Sequence, residues 1–444
     1  MSDPTAHRPA PADVATAGDP QPLDPQLDRI QRPALLLGAG AAVLALIGLI
    51  INRDQFFQSY LVAFMFWIGM PLGCLALLML QHLTGGTWGL ILRRMLEAGA
   101  RMLPLMAILF LPIALGMGWL YPWTYAEHPD PMPRAMQFKY WWLSPGFWVF
   151  RSVLYFAIWI GFALLLNGWS AAQDRTGDYR YQRRMQLVSG PGLLLIGLTT
   201  TGAAVDWVMT IDEHWYSTMW GLIYIVGFGL STIALCTILL AILYRREPYA
   251  AIVTRDHFHD LGNLLLAFTM LWAYLNFSQF LIIWSGNIAE ETPYYYHRNT
   301  GWVKYLALLV VVFHFFVPFL LLLSRHTKRR VRVLAGVATL ILVMRLFDLL
   351  WMIVPFYAQG HAPQEQRVRI SVFDFVLPLA LGGLWVWAFI FQLRRRPLLP
   401  PNDPRLADAL RDFHHHHHDH AVPHYDAGTG ATTPGPHPAG VTHG

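Results

Sequence analysis

The chain of 444 residues is 55% hydrophobic and 13% charged, with 18 Trp and a formal net charge of +5. Soluble domains are nearer a quarter charged, so a soluble enzyme or a nucleic-acid-binding domain is a poor fit. The only two cysteines, Cys74 and Cys236, lie in apolar runs; they exclude a four-thiolate iron–sulfur cluster, and no CxxCH string offers covalent haem attachment.

The first 33 residues are polar and rich in Pro and Ala, with no apolar core near Met1. They read as a disordered arm, not as a cleavable signal. Ten apolar runs follow, at 34–51, 59–82, 102–121, 145–169, 189–210, 217–244, 260–286, 302–324, 333–356 and 371–392. Most have the roughly 20 residues needed to cross ~30 Å of hydrocarbon, the first being shortest. Between the second and third, TWGLILRRMLEAGARM (87–102) is amphipathic and predicts a helix lying along the interface. The outer loop 122–148 is long and aromatic, as expected of an interfacial belt. From 393 the sequence turns low-complexity and carries HHHHHDH (414–420), which reads as a polar tract in a disordered tail more readily than as a metal site.

The N-terminal arm, the loops after even-numbered spans and the C-terminal tail hold 23 of the 32 Lys and Arg residues. By the positive-inside rule both termini are expected in the cytoplasm. The predicted architecture is an all-α polytopic protein of the inner membrane: a cytoplasmic arm (1–33), a ten-helix domain (34–392) and a His-rich cytoplasmic tail (393–444).

That orientation gives each intramembrane charge a depth. Arg151 sits one to two turns into span four, and Asp206 lies in the outer half of span five. Asn276 and Gln279 stand about 24–28 Å along span seven from Asp260, at 1.5 Å per residue. His314 falls near the midplane of span eight, Arg345 and Asp348 at or just above mid-depth in span nine, and Asp374 one turn into span ten. The charges therefore gather in the outer half, with Glu97, Asp174 and Asp260 only at the inner mouth. Each needs an interior partner, since an unpaired charge in hydrocarbon costs about 3 kcal/mol or more. Arg345 and Asp348 share a helix face; Asn276 and Gln279 share another and are expected to point at Arg or Asp on neighbouring helices. Two readings follow. The cluster is a neutralised network that locks helices together, or Asp206, His314, Asp348 and Asp374 form a proton path, with Arg151, Arg345, Asn276 and Gln279 as polar partners. No nucleotide-binding, metalloprotease or Ser/His/Asp pattern occurs, so no catalytic, cofactor-binding or metal-ligating residue is assigned.

The strings WAYLNFSQFLIIWSGNIAEETPYYYHR (272–298), GAAVDWVMTIDEHWYSTMWG (202–221) and LFLPIALGMGWLYPW (109–123) resemble the F-type integral membrane subunit of bacterial alternative complex III. That family is distantly similar to the NrfD/polysulfide-reductase membrane subunits. The resemblance covers about 35–392. It implies two four-helix bundles (about 59–210 and 217–356) with spans one and ten flanking. It also implies a respiratory complex that oxidises quinol and passes electrons through iron–sulfur and c-type haem subunits to a cytochrome or directly to a terminal oxidase, with a C-type membrane homologue carrying the quinol site. This chain would then be a non-redox subunit giving structural support and a proton half-channel; haem c, iron–sulfur clusters and quinone would belong to its partners. A direct quinone-binding subunit and a stand-alone secondary transporter are the alternatives.

Overall fold

Caps and prolines, together with the apolar runs, decide where the helices begin and end. The computed structural model describes residues 25–124, 134–212, 214–299, 301–358, 370–403 and 406, and among these there is no strand. Ten of the helices are long and apolar enough to cross a membrane: Leu27–Ile51, Arg53–Thr84, Trp88–Leu115, Pro145–Thr176, Tyr179–Ile211, Trp220–Leu243, Arg255–Gly286, Val303–Leu323, Val331–Tyr357 and Phe373–Leu393, here spans one to ten. Asn52 caps span two by accepting a hydrogen bond from the Gln55 backbone N–H, and Asp178 does the same for span five through Arg180. Gly177 and Asn287 end spans four and seven in left-handed conformations that the last carbonyls require. Span three is jointed. Its pieces Leu103–Leu109 and Leu111–Leu115 each restart on a proline, because a proline lacks the N–H that would continue the preceding turn.

Spans two to five close one four-helix bundle, spans six to nine a second, and spans one and ten pair with each other against span two. The bundles dock through span two on spans six and nine and through span five on span six. Span two is the central pillar: 89% of its most apolar window is buried, against 17% for span one. Spans one and ten cross so closely that a Cβ on Gly38 would stand 2.8 Å from the Gly383 Cα. Gly383→Leu is expected to wedge them apart and cost about 1–3 kcal/mol, read as a lower thermal unfolding midpoint in detergent.

Three sequence expectations need correction. The helix Thr87–Ala100 is covered by protein and not laid against lipid head groups: it packs against span two, and every residue from Leu90 to Ala100 is buried. Its polar face is turned onto protein partners described below. The first helix begins at Pro25, inside the stretch expected to be a disordered arm, where Gln31 donates to the Trp387 carbonyl of span ten. Residues 393–403, expected to belong to the tail, instead fold over the bundle end, with Leu398, Leu399 and Asp403 buried. The His-rich run 414–420 and most of the N-terminal arm lie outside the described residues.

Candidate functional site

The basic loops, among them 325–332 and 394–396, mark one end of the molecule; the opposite end carries Asp206, Asp374 and the short helix Pro293–Arg298. In the first bundle, near that far end, Arg151 grips Asp206 through two parallel bonds, Nε to Oδ2 at 2.8 Å and Nη2 to Oδ1 at 2.9 Å. Tyr155 donates its hydroxyl to Oδ2 at 2.8 Å, and the third guanidinium nitrogen donates to the Trp142 carbonyl. The ring of Trp142 lies 4.2 Å from the Arg151 guanidinium. A forked, stacked arginine of this kind is geometrically specific. Both carboxylate oxygens are occupied, which makes this pair a clamp between spans four and five.

Asp374 is similarly enclosed. Ser59 of span two donates to its Oδ1 at 2.6 Å and the Ser371 backbone N–H to its Oδ2 at 2.8 Å.

The second bundle is different. Arg345 Nη1 bonds Asp348 Oδ2 as the i, i+3 spacing predicts, and Trp272 Nε1 donates to the same oxygen at 3.1 Å. Among the described residues the other oxygen, Oδ1, has no hydrogen-bond partner, and neither do Nε and Nη2 of Arg345. Gly227 on span six leaves the space that the guanidinium fills; a Cβ there would collide with it. His314 is fully buried and meets Trp272 edge-on, with ring centroids 4.6 Å apart. It sits in a π-helical turn, Val311–Phe316, a distortion often found where a helix aims a side chain for function.

Between spans seven and eight opens a cleft of about 920 Å³ whose lining includes Trp272, Asn276 and Phe316, with Asp348 and Trp351 of span nine behind them and Arg298, Asn299 and Lys304 at its far-end rim. Arg298 is 2% exposed and donates to the backbone carbonyls of Tyr294, Trp351 and Met352, with the Tyr294 ring 3.5 Å from its guanidinium. Burial pulls its pKa below the ordinary arginine value, opposed by the neighbouring Tyr294 and Tyr295.

The amides of span seven do not reach arginine or aspartate as expected. Asn276 donates to the Trp272 carbonyl one turn back on its own helix, and Gln279 accepts from Ser217 at 3.3 Å. The eight predicted residues thus form three sets, Arg151–Asp206, Asp374 alone, and Arg345–Asp348 with His314 beside Trp272, with the two amides near the last.

Nor is the basic end empty of buried charge. Glu97 accepts from Arg93, Arg94, Arg396 and Ser170. Arg93 also donates to Asp403 at 2.7 Å and Arg94 to Asp174 at 2.6 Å. Arg93, Arg94, Glu97 and Asp403 are each at most 3% exposed. The expected crowding of charge into one half of the membrane is therefore incomplete: a second network closes the other end of the first bundle. The spacing of Arg93 and Arg94 to Glu97, four and three residues, was the visible signal for part of it.

Among the described residues no three His, Cys, Asp or Glu side chains come together as a metal site. Fold and clusters together define a polytopic all-α membrane protein with paired charges in its core. No family model matches the chain, and no curated protein matches it.

Proposed function

We propose that this chain is a non-redox membrane subunit of a respiratory quinol-oxidising complex of the alternative complex III type. It braces the assembly and lends it a proton half-channel. The basic end faces the cytoplasm of a bacterial inner membrane, with both termini on that side. Iron–sulfur, c-type haem and C-type membrane subunits are its partners, and the electron transfer belongs to them.

The observation that carries the proton role is the contrast among three buried carboxylates away from the basic end, Asp206, Asp348 and Asp374. Asp206 and Asp374 have both oxygens engaged, so protonation would break a fork or a pair of hydrogen bonds. Asp348 has its Oδ1 buried and without a hydrogen-bond partner among the described residues, contributes to the cleft lining and lies beside Trp272, which His314 touches. It can take and release a proton while Oδ2 holds Trp272 and Arg345 in place. Carboxylates so placed in membrane proteins are typical proton carriers.

Two measurements test this reading. In mild detergent the chain is expected to co-purify with haem-c and iron–sulfur proteins; recovery as a lone polypeptide from cells that assemble such a complex would refute the assignment. In vesicles, Asp348→Asn in the assembled complex is expected to remove most proton release per quinol oxidised while oxidation continues. Unchanged release would leave the carboxylate a purely structural role.

A further inference from the structure

Spans seven and eight pack together near the basic end and part toward the far end. Val317–Leu323 rests on span seven, whereas Val303–Val310 packs on span nine, and the divergence falls at the π-helical turn Val311–Phe316. The cleft is the wedge between them. Its lining runs from Met270 to Phe280 on span seven and from Lys304 to Phe316 on span eight, about 15–18 Å along each axis at 1.5 Å per residue. Half of a ~30 Å hydrocarbon core is about 15 Å, so the wedge is one leaflet deep and closes near mid-membrane. Its volume, about 920 Å³, is at the upper end of ordinary small-molecule sites. Tyr274, Phe277, Phe280, Val311 and Phe316 in its walls are exposed. In a bilayer those walls meet hydrocarbon, and leaving the wedge unfilled would forfeit their dispersion contacts.

The far-end rim is polar and positive. Tyr296, Asn299 and Lys304 stand there, all exposed, with Arg298 buried behind them. Lys304 has no carboxylate partner among the described residues; its ammonium lies 5.1 Å from the Tyr305 ring. Arg298 bonds backbone carbonyls, and the acid acting on it, Asp212, is not part of the cleft lining. The carboxylate that does belong to the lining, Asp348, is bonded to Arg345. We infer that the cleft holds one anionic glycerophospholipid of the far leaflet, with an acyl chain in the wedge and the phosphate at Lys304, where the Asn299 amide and the Tyr296 hydroxyl can donate to it. A partner's transmembrane helix is the poorer occupant, because it must cross the whole ~30 Å core and the wedge closes halfway. A zwitterionic lipid would fill the wedge equally well but bring no net charge to Lys304. One accessible cation near a membrane surface supports a preference of about fivefold for the anionic head. The inference needs only that the chain crosses a membrane, and it leaves the bonds among Asp348, Arg345 and Trp272 as they stand.

The test uses the full chain, purified in detergent and delipidated, with bound lipid counted by native mass spectrometry during titration. The probes are dioleoyl-phosphatidylglycerol and dioleoyl-phosphatidylcholine. The first phosphatidylglycerol is expected to bind about fivefold more tightly than the first phosphatidylcholine. Lys304→Gln is expected to bring the two lipids level, and Lys304→Arg to keep the preference. Val311→Trp, which fills the wedge from its exposed wall, is expected to remove the tight first site for both lipids, with circular dichroism and unfolding midpoint of the lipid-free chain unchanged. Equal affinity of the wild type for the two lipids, a preference that survives Lys304→Gln, or a tight site that survives Val311→Trp would each overturn the inference. So would displacement of the lipid by glycerol 3-phosphate, which would mark a phosphate site with no use for the wedge, or a dimer that Val311→Trp dissociates, which would give the wedge to a second copy. Failure here leaves the co-purification result unaffected, and failure there leaves this one standing.

Discussion

Glu97→Gln is expected to destabilise the protein by about 3–5 kcal/mol, the cost of stranding buried charge, and to lower both the yield and the unfolding midpoint in detergent. Glu97 is one acid serving three guanidinium groups, with Arg93 Nε at 3.0 Å, Arg94 Nη1 at 2.6 Å and Arg396 Nη1 at 3.3 Å. Asp403 and Asp174 still neutralise Arg93 and Arg94 in the variant, but among the described residues Arg396 keeps only the Asn167 carbonyl as a hydrogen-bond partner. The new amide also turns an N–H₂ donor toward groups that are themselves donors. Glu97→Asp keeps the charge on a shorter arm and is expected to lose less. An unchanged midpoint for Glu97→Gln would mean that water reaches this end of the bundle and screens the arginines.

That network exposes what could and could not be seen in the sequence. The ten spans were legible because about 20 apolar residues in a row have few other uses. Arg345 and Asp348 were legible as a pair because helical geometry alone puts residues three apart on one face. Partners across helices were not. Arg151 and Asp206 were identifiable as buried charges, but the fork between them depends on how spans four and five are rotated. Asn276 and Gln279 were aimed wrongly for a related reason: the free carbonyl of Trp272 and the hydroxyl of Ser217 lie nearer than any arginine. The segment 87–102 has the period of an interfacial helix, and that period cannot distinguish lipid head groups from a covering of protein. Here the covering includes Asp403, from a stretch whose Pro-rich composition suggested disorder. The cleft left no trace in the sequence at all. It is a gap between spans seven and eight, and gaps belong to packing.

Breaking the Arg151–Asp206 fork and replacing it whole are expected to give opposite results. Asp206→Ala alone leaves a guanidinium 5% exposed with only the Trp142 carbonyl and two aromatic rings around it, and should cost about 3–5 kcal/mol. Changing both partners, Arg151→Met with Asp206→Leu, removes the desolvated charges together; apolar replacement of a buried pair is often neutral or stabilising. Tyr155 then loses its acceptor, a residual penalty of about 1–3 kcal/mol, and Tyr155→Phe in the same background should recover it. The triple variant is therefore expected to melt close to the wild type. Because Asp206 acts as a clamp with both oxygens engaged, the same variant should also support proton release at the wild-type rate. A well-folded triple variant that no longer releases protons would return Asp206 to the conducting path and remove the distinction drawn between it and Asp348.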